Sequence, residues 1–198
     1  MSSWIDRSLP WLGVFPLAVD LANTVVISGS KFVDLLVTDK ELRTWIGAER
    51  SRYPVVEAAR GRLDDVRLLR ETVRSLLFAA AEDRSLPADG IGTINDLSSR
   101  SARWPILHEG GATGMQDASN DEFTRFRGSV ARSVIEILGG DDGGKLSVCG
   151  APSCGMLFIA TNERQNWCSP ACGNRARVAR HAARSKKQTR KRAETARR

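Results

Sequence analysis

A chain of 198 residues, 41% of them apolar, is long enough for one sizeable core and a small satellite, and no apolar run approaches the length needed to span a bilayer. The formal charge of +7 is unevenly distributed: residues 1–148 carry 18 basic against 21 acidic side chains, whereas residues 174–198 carry eleven Lys and Arg against the single acid Glu194, a net of +10. Such a localised polycation attracts polyphosphate backbones, and the mildly acidic remainder does not.

Taken in chain order, residues 17–27 form an apolar stretch suited to either the first turns of a helix or a strand. Within it Asp20, Asn23 and Thr24 stand three and four apart, so on a helix they share one edge. That set suits a small ligand or a partner's backbone, and equally a bracing network in which buried Asp and Asn satisfy nearby backbone groups. Thr38 followed by Glu41 is a capping box opening a short helix with Leu42, Trp45 and Ile46 inward. Leu63, Val66, Leu69, Val73, Leu76, Leu77 and Ala80 recur at three and four and predict the strongest helix, from about Val55 to Asp83.

A shorter helix is expected around Ile91 to Ser99, then a small β-hairpin over residues 102–117. Asn120 is the expected cap of another amphipathic helix that presents Phe123, Phe126, Val130, Val134 and Ile137 inward and stops at Gly139. The acidic, glycine-rich segment 139–145 reads as a linker. The expected fold class is α+β, mainly α: a helical domain over 1–138 with a small hairpin, then a unit over 146–198 that holds Cys149, Cys154, Cys168 and Cys172 and reads as a zinc-ribbon-like finger with a basic helix.

All four cysteines fall in that last unit, as Cys149-x4-Cys154 and Cys168-x3-Cys172 with thirteen residues between the pairs. Two close pairs separated by a hairpin-sized segment suit a tetrahedral metal, and the thiol set points to one structural zinc. Two disulfides, or four unrelated buried thiols, are the alternatives; the N-terminus has no basic start and apolar run of a secretory signal, which favours a cytoplasmic thiol site. Four protein ligands leave no coordination position for water, so the metal is structural. Gly-rich phosphate loops, Gly-x-Ser-x-Gly elbows and His-Glu-x-x-His pairs are absent from the sequence, and an enzyme is not expected. His108 lies beside a predicted turn and reads as an exposed or satisfied histidine.

Ser169 and Pro170 supply a cap and a first helical residue, and neither Gly nor Pro interrupts the chain from Asn174 onward. As a helix it places Arg177, Arg180, His181, Arg184, Lys187 and Lys191 on one broad face, with Ala171, Val178, Ala182 and the stem of Arg175 toward the metal knuckle. Beyond Lys186 a frayed, solvated tail is expected. Asn174, Arg175, Arg177, Arg180, His181, Arg184, Lys186 and Lys187 are the nucleic-acid candidates, with Arg175 and Arg177 foremost because they lie nearest the rigid knuckle.

The stretch Trp167-Cys168-Ser169-Pro170-Ala171-Cys172-Gly173-Asn174-Arg175, continuing through His181, resembles the CGNR zinc-finger family, and Cys149 to Phe158 resembles its first knuckle. Leu17-Ala18-Val19-Asp20-Leu21-Ala22-Asn23-Thr24 is similar to a motif of the ABATE domain that usually precedes such fingers. The resemblance implies a bacterial transcription regulator induced by stress. On that basis the finger and its helix would grip double-stranded DNA, and the N-terminal domain would sense a ligand, form a homodimer or touch RNA polymerase. An RNA-binding or ribosome-associated protein is the alternative, disfavoured by the lack of stacking aromatics after Trp167.

Overall fold

The computed structural model describes residues 13–28 and 31–195, excepting the side chains at 28, 187 and 190–195. Leu17–Ala22 forms a short helix, α1, every residue of which is buried, and the chain turns directly into a hairpin of β1 (Val25–Ser28) and β2 (Lys31–Asp34). The ambiguous apolar stretch is thus part helix and part strand. Thr38 caps α2 (Asp39–Glu49) with the expected reciprocal bonds to Glu41, and Leu42, Trp45 and Ile46 are buried.

The long helix expected from Val55 to Asp83 is two elements. Pro54–Ala59 is a 3-10 turn, and the chain then passes through Gly61, whose φ of +68° breaks the helical path, before α3 runs from Leu63 to Ala81. Leu63, Val66, Leu69, Val73, Leu76, Leu77 and Ala80 still point inward as their spacing requires, and Leu68, off that stripe, is exposed. α4 (Ala88–Arg100) and the hairpin of β3 (Arg103–Leu107) and β4 (Thr113–Asp117) follow. Asp121, not Asn120, caps α5 (Glu122–Gly139), its carboxylate accepting the Thr124 N–H at 2.8 Å. Both residues carry a capping oxygen, and register alone decides between them.

α1, α3 and α5 enclose the main core, in which Trp45 meets Phe126 edge to face with ring centroids 6.3 Å apart. A 3-10 turn at Gly143–Lys145 leads into β5 (Leu146–Val148), which pairs with β6 (Leu157–Ile159), the two strands foreseen for the finger. Leu146 and Leu157 belong to the same core as α3 and α5, so apolar packing crosses the glycine-rich segment 139–145. Gly155 marks the second point of approach: at φ +63° it lies under Ile27 of β1, where an added Cβ would sit 2.3 Å from the Ile27 Cδ1. The last element, α6 (Pro170–Thr195), is 26 residues long, or about 39 Å. It continues past Lys186 where a frayed tail was expected, in keeping with its Ala, Arg, Lys and Gln content. No helix among the described residues is long and apolar enough to cross a membrane.

Candidate metal centre and nucleic-acid face

Cys149 and Cys154 flank the knuckle between β5 and β6, and Cys168 and Cys172 bracket the start of α6. The serine and proline between them act as their chemistry demands: Ser169 Oγ accepts the Cys172 N–H at 3.3 Å, and Pro170 opens the helix. The four Sγ atoms lie within 4.8 Å of one another, with Cys154 to Cys168 at 3.7 Å, Cys168 to Cys172 at 3.5 Å and Cys172 to Cys154 at 3.7 Å. A Zn–S bond of about 2.3 Å demands a tetrahedral edge of about 3.8 Å, so the sulfurs fit the ion. None of the four is in a disulfide. Thiolates this close repel one another, and a divalent cation at their centre offsets that charge.

The tetrapeptide Cys172-Gly173-Asn174-Arg175 divides its tasks. Cys172 is a ligand. Gly173 is buried against the Trp167 indole, whose Cδ1 would stand 3.1 Å from an added Cβ, so even an alanine there requires the ring to shift by a few tenths of an ångström. Asn174 Oδ1 accepts from Arg177 Nη2 at 2.7 Å and orients that guanidinium. Arg175 Nη2 donates to Cys172 Sγ at 2.9 Å, supplying positive charge beside a centre that carries a formal −2 with zinc and four thiolates. Arg175, chosen from sequence for its closeness to the knuckle, is therefore turned toward the metal. The cysteine-to-arginine spacing of three, one helical turn, is the signal that could have revealed this.

The buried face of α6 also differs from the expected one. Val178 is 69% exposed, Ala171 and Ala182 are exposed, and Cys172 and Ala176 are buried instead. Cys172 fixes the phase, and the next inward position is four residues on, not at the apolar residues one step away. The opposite faces carry the cations. Arg177, Arg180, His181 and Arg184 line a shallow concavity of about 310 Å³, and among the described residues no carboxylate lies within 4.0 Å of Arg177, Arg180 or Arg184. Arg177 also borders a second concavity of about 320 Å³ with Trp167, Ser169 and Pro170. Asn174 and Lys186 are exposed on the same helix; the side chains of Lys187 and Lys191 lie outside the described residues.

Asp20, Asn23 and Thr24, read from sequence as one edge, reach three separate partners. The Asp20 carboxylate is fully buried, accepts the Gly13 and Phe15 N–H groups, and pairs with Arg52 at 3.2 Å. Burial first, then the neighbouring Glu49 carboxyl, pushes Asp20 up to about 8. Asp20 Oδ1 and Glu49 Oε2 have no hydrogen-bond donor among the described groups, and a proton shared between the two carboxyls satisfies both. Asn23 bonds to the Leu157 main chain, and Thr24 Oγ1 donates to the Leu21 carbonyl at 2.7 Å and accepts from Arg70. Each of these contacts is made with the chain's own groups. Sequence reasoning missed Glu49 and Arg52, which come from α2 and its exit and carry no local signature.

A buried knuckle of four sulfurs at the foot of a long cationic helix defines a zinc-finger protein. Residues 16–141 match the ABATE family, described as "Putative stress-induced transcription regulator", and residues 145–185 match the CGNR zinc finger. The chain belongs to the ABATE family, and it carries a CGNR finger whose four cysteines form a single zinc site. Both descriptions are of non-enzymatic kinds. No curated protein matches the chain.

Proposed function

We propose that the protein regulates transcription by holding double-stranded DNA with α6, the zinc knuckle fixing the N-terminal end of that helix. The observation that carries this reading is the exposed set Arg177, Arg180, His181 and Arg184, lining one concavity without carboxylate partners among the described residues. Fixed cations spaced along a helix suit phosphates at a groove, and the metal removes much of the cost of ordering them. Asn174, Lys186 and Lys187 extend the contact, and Arg175 serves it through the metal. In this reading residues 1–138 form the regulatory unit in the cytoplasm, joined through 139–145 to the contact unit at 146–198. The regulatory unit senses a ligand, forms a homodimer or meets RNA polymerase, any of which supplies the second surface that a lone finger requires for tight binding.

One observation favours RNA as a second reading. Trp167 borders the concavity that Arg177 shares, and an aromatic ring beside a guanidinium is a stacking platform for an unpaired base. Genome-wide crosslinking and immunoprecipitation, with sequencing of both DNA and RNA, separates the two. Discrete promoter peaks support the DNA regulator, whereas enrichment on RNA without promoter peaks overturns it in favour of the second reading.

A further inference from the structure

A cavity among the described residues lies outside the metal centre. It measures about 670 Å³ and opens between the Pro54–Ala59 turn, the β3–β4 hairpin and α5, a volume in the range of small-molecule sites. Four guanidiniums border it, those of Arg52, Arg103, Arg125 and Arg132. Three are already paired: Arg52 with Asp20, Arg103 with Asp117 at 2.8 Å, and Arg125 with Glu122 at 3.5 Å.

Arg132 differs. It donates to the Ser101 carbonyl at 2.7 Å, to Ser101 Oγ at 2.9 Å and to Ser129 Oγ at 3.1 Å, all neutral oxygens. Among the described residues it has no carboxylate within ion-pair distance. Burial first, and then the nearby Arg103 cation, lowers its pKa, yet a guanidinium stays charged. Its orientation is fixed by Ser101 and Ser129 before anything binds, so little ordering cost remains. The third acid of the cavity, Glu57, is drawn away to Arg60 at 2.6 Å. Pro54, Val55 and Ala58 give the cavity an apolar wall.

We propose that this cavity binds a small organic anion, its carboxylate taken by Arg132 and its apolar body laid on Pro54, Val55 and Ala58. A planar carboxylate matches the guanidinium fork, and the apolar wall selects against a bare inorganic anion. The inference stands apart from the nucleic-acid reading, because it uses no residue of the finger or of α6.

Thermal unfolding and titration calorimetry on the zinc-loaded full chain test it, with benzoate and octanoate as probes and benzamide, inorganic phosphate and chloride as controls. A saturable rise in Tm with at least one carboxylate, and none with the controls, is expected. Arg132→Gln should weaken that binding roughly ten- to hundredfold, the usual effect of losing a charged hydrogen bond. Because Arg132 also holds Ser101, Ala58→Trp is the second variant; it fills the cavity from the opposite wall, leaves every cation in place and should abolish the response. The proposal is overturned by the absence of a saturable carboxylate response, by an equal response to benzamide or phosphate, or by a response that survives Ala58→Trp.

Discussion

The Asn23 side chain pairs with the Leu157 main chain as a strand neighbour would: Oδ1 accepts the Leu157 N–H at 2.9 Å and Nδ2 donates to the Leu157 carbonyl at 2.9 Å. Asn23 closes α1 and Leu157 opens β6 of the finger, so the residue that ends the helix completes the hydrogen bonding of the strand. Replacing Asn23 by Ala would leave two buried main-chain groups unpaired, at about 1–3 kcal/mol each. Asn23→Ala is therefore expected to lower Tm of the full chain, with faster amide exchange in both α1 and β6. Exchange confined to β6 would show that the two units are not coupled through this pair.

Zinc removal should be felt beyond the finger. A linker over 139–145 suggests a finger lost on its own, with the N-terminal core intact. Leu146 and Leu157 are instead part of the core around α3 and α5, and Gly155 sits under Ile27. Zinc sites of this kind contribute about 10–16 kcal/mol to the fold that binds them. Chelation, or Cys168→Ser with loss of the single bound zinc by elemental analysis, is expected to lower the Tm of the helical core as well. An unchanged core transition would make the finger an independent unit.

Local chemistry was the legible part of this fold. The Thr38 and Glu41 capping box, the two finger strands and the inward faces of α3 and α5 all follow from spacing over a few residues, and each is where the pattern puts it. The failures have local causes as well as distant ones. Gly61 splits the long helix because its positive φ outweighs an apolar pattern that runs on either side of it. The phase of α6 was misread because Cys172, a ligand, outranks Val178 and Ala182 in a helix with so few apolar residues. The partners of Asp20 and Asn23 were beyond reach: Glu49, Arg52 and Leu157 meet them across 29, 32 and 134 residues of sequence.

The buried acid pair makes stability depend on pH in an unusual direction. Asp20, pushed up to about 8, and Glu49, also raised by burial, keep a proton in the folded chain that exposed carboxyls lose near pH 4. The folded state thus binds more protons than the unfolded one between about pH 4 and 8, so this contribution is fully present at the acid end and is lost as pH rises toward 8. Asp34 acts in the opposite sense: burial raises it, but the two Arg70 bonds at 2.6 and 2.7 Å outweigh burial and hold it low. The comparison that isolates the pair is Asp20→Asn against the parent chain. The amide mimics the protonated acid, so the variant should match the parent only at and below about pH 4 and gain on it steadily as pH approaches 8. Parallel urea midpoints across that range would remove the shared proton.

Arg175 and Arg177 are two residues apart and should fail differently. Arg175 touches Cys172 Sγ, so Arg175→Ala is expected to speed zinc loss to a chelator, with any fall in nucleic-acid affinity tracking the zinc lost. Arg177, held by Asn174, and Arg180 face outward without carboxylate partners among the described residues. Charge reversal of both, Arg177→Glu with Arg180→Glu, should leave zinc content and Tm nearly unchanged. The same pair of changes should weaken binding to every duplex and flatten the slope of log K against log salt by about one for each phosphate contact removed. Fluorescence anisotropy on a labelled duplex across a salt series measures both quantities. A parent-like affinity and slope in the double variant would take this face of α6 out of the contact, and a loss restricted to one sequence would assign these arginines to base reading instead of the backbone.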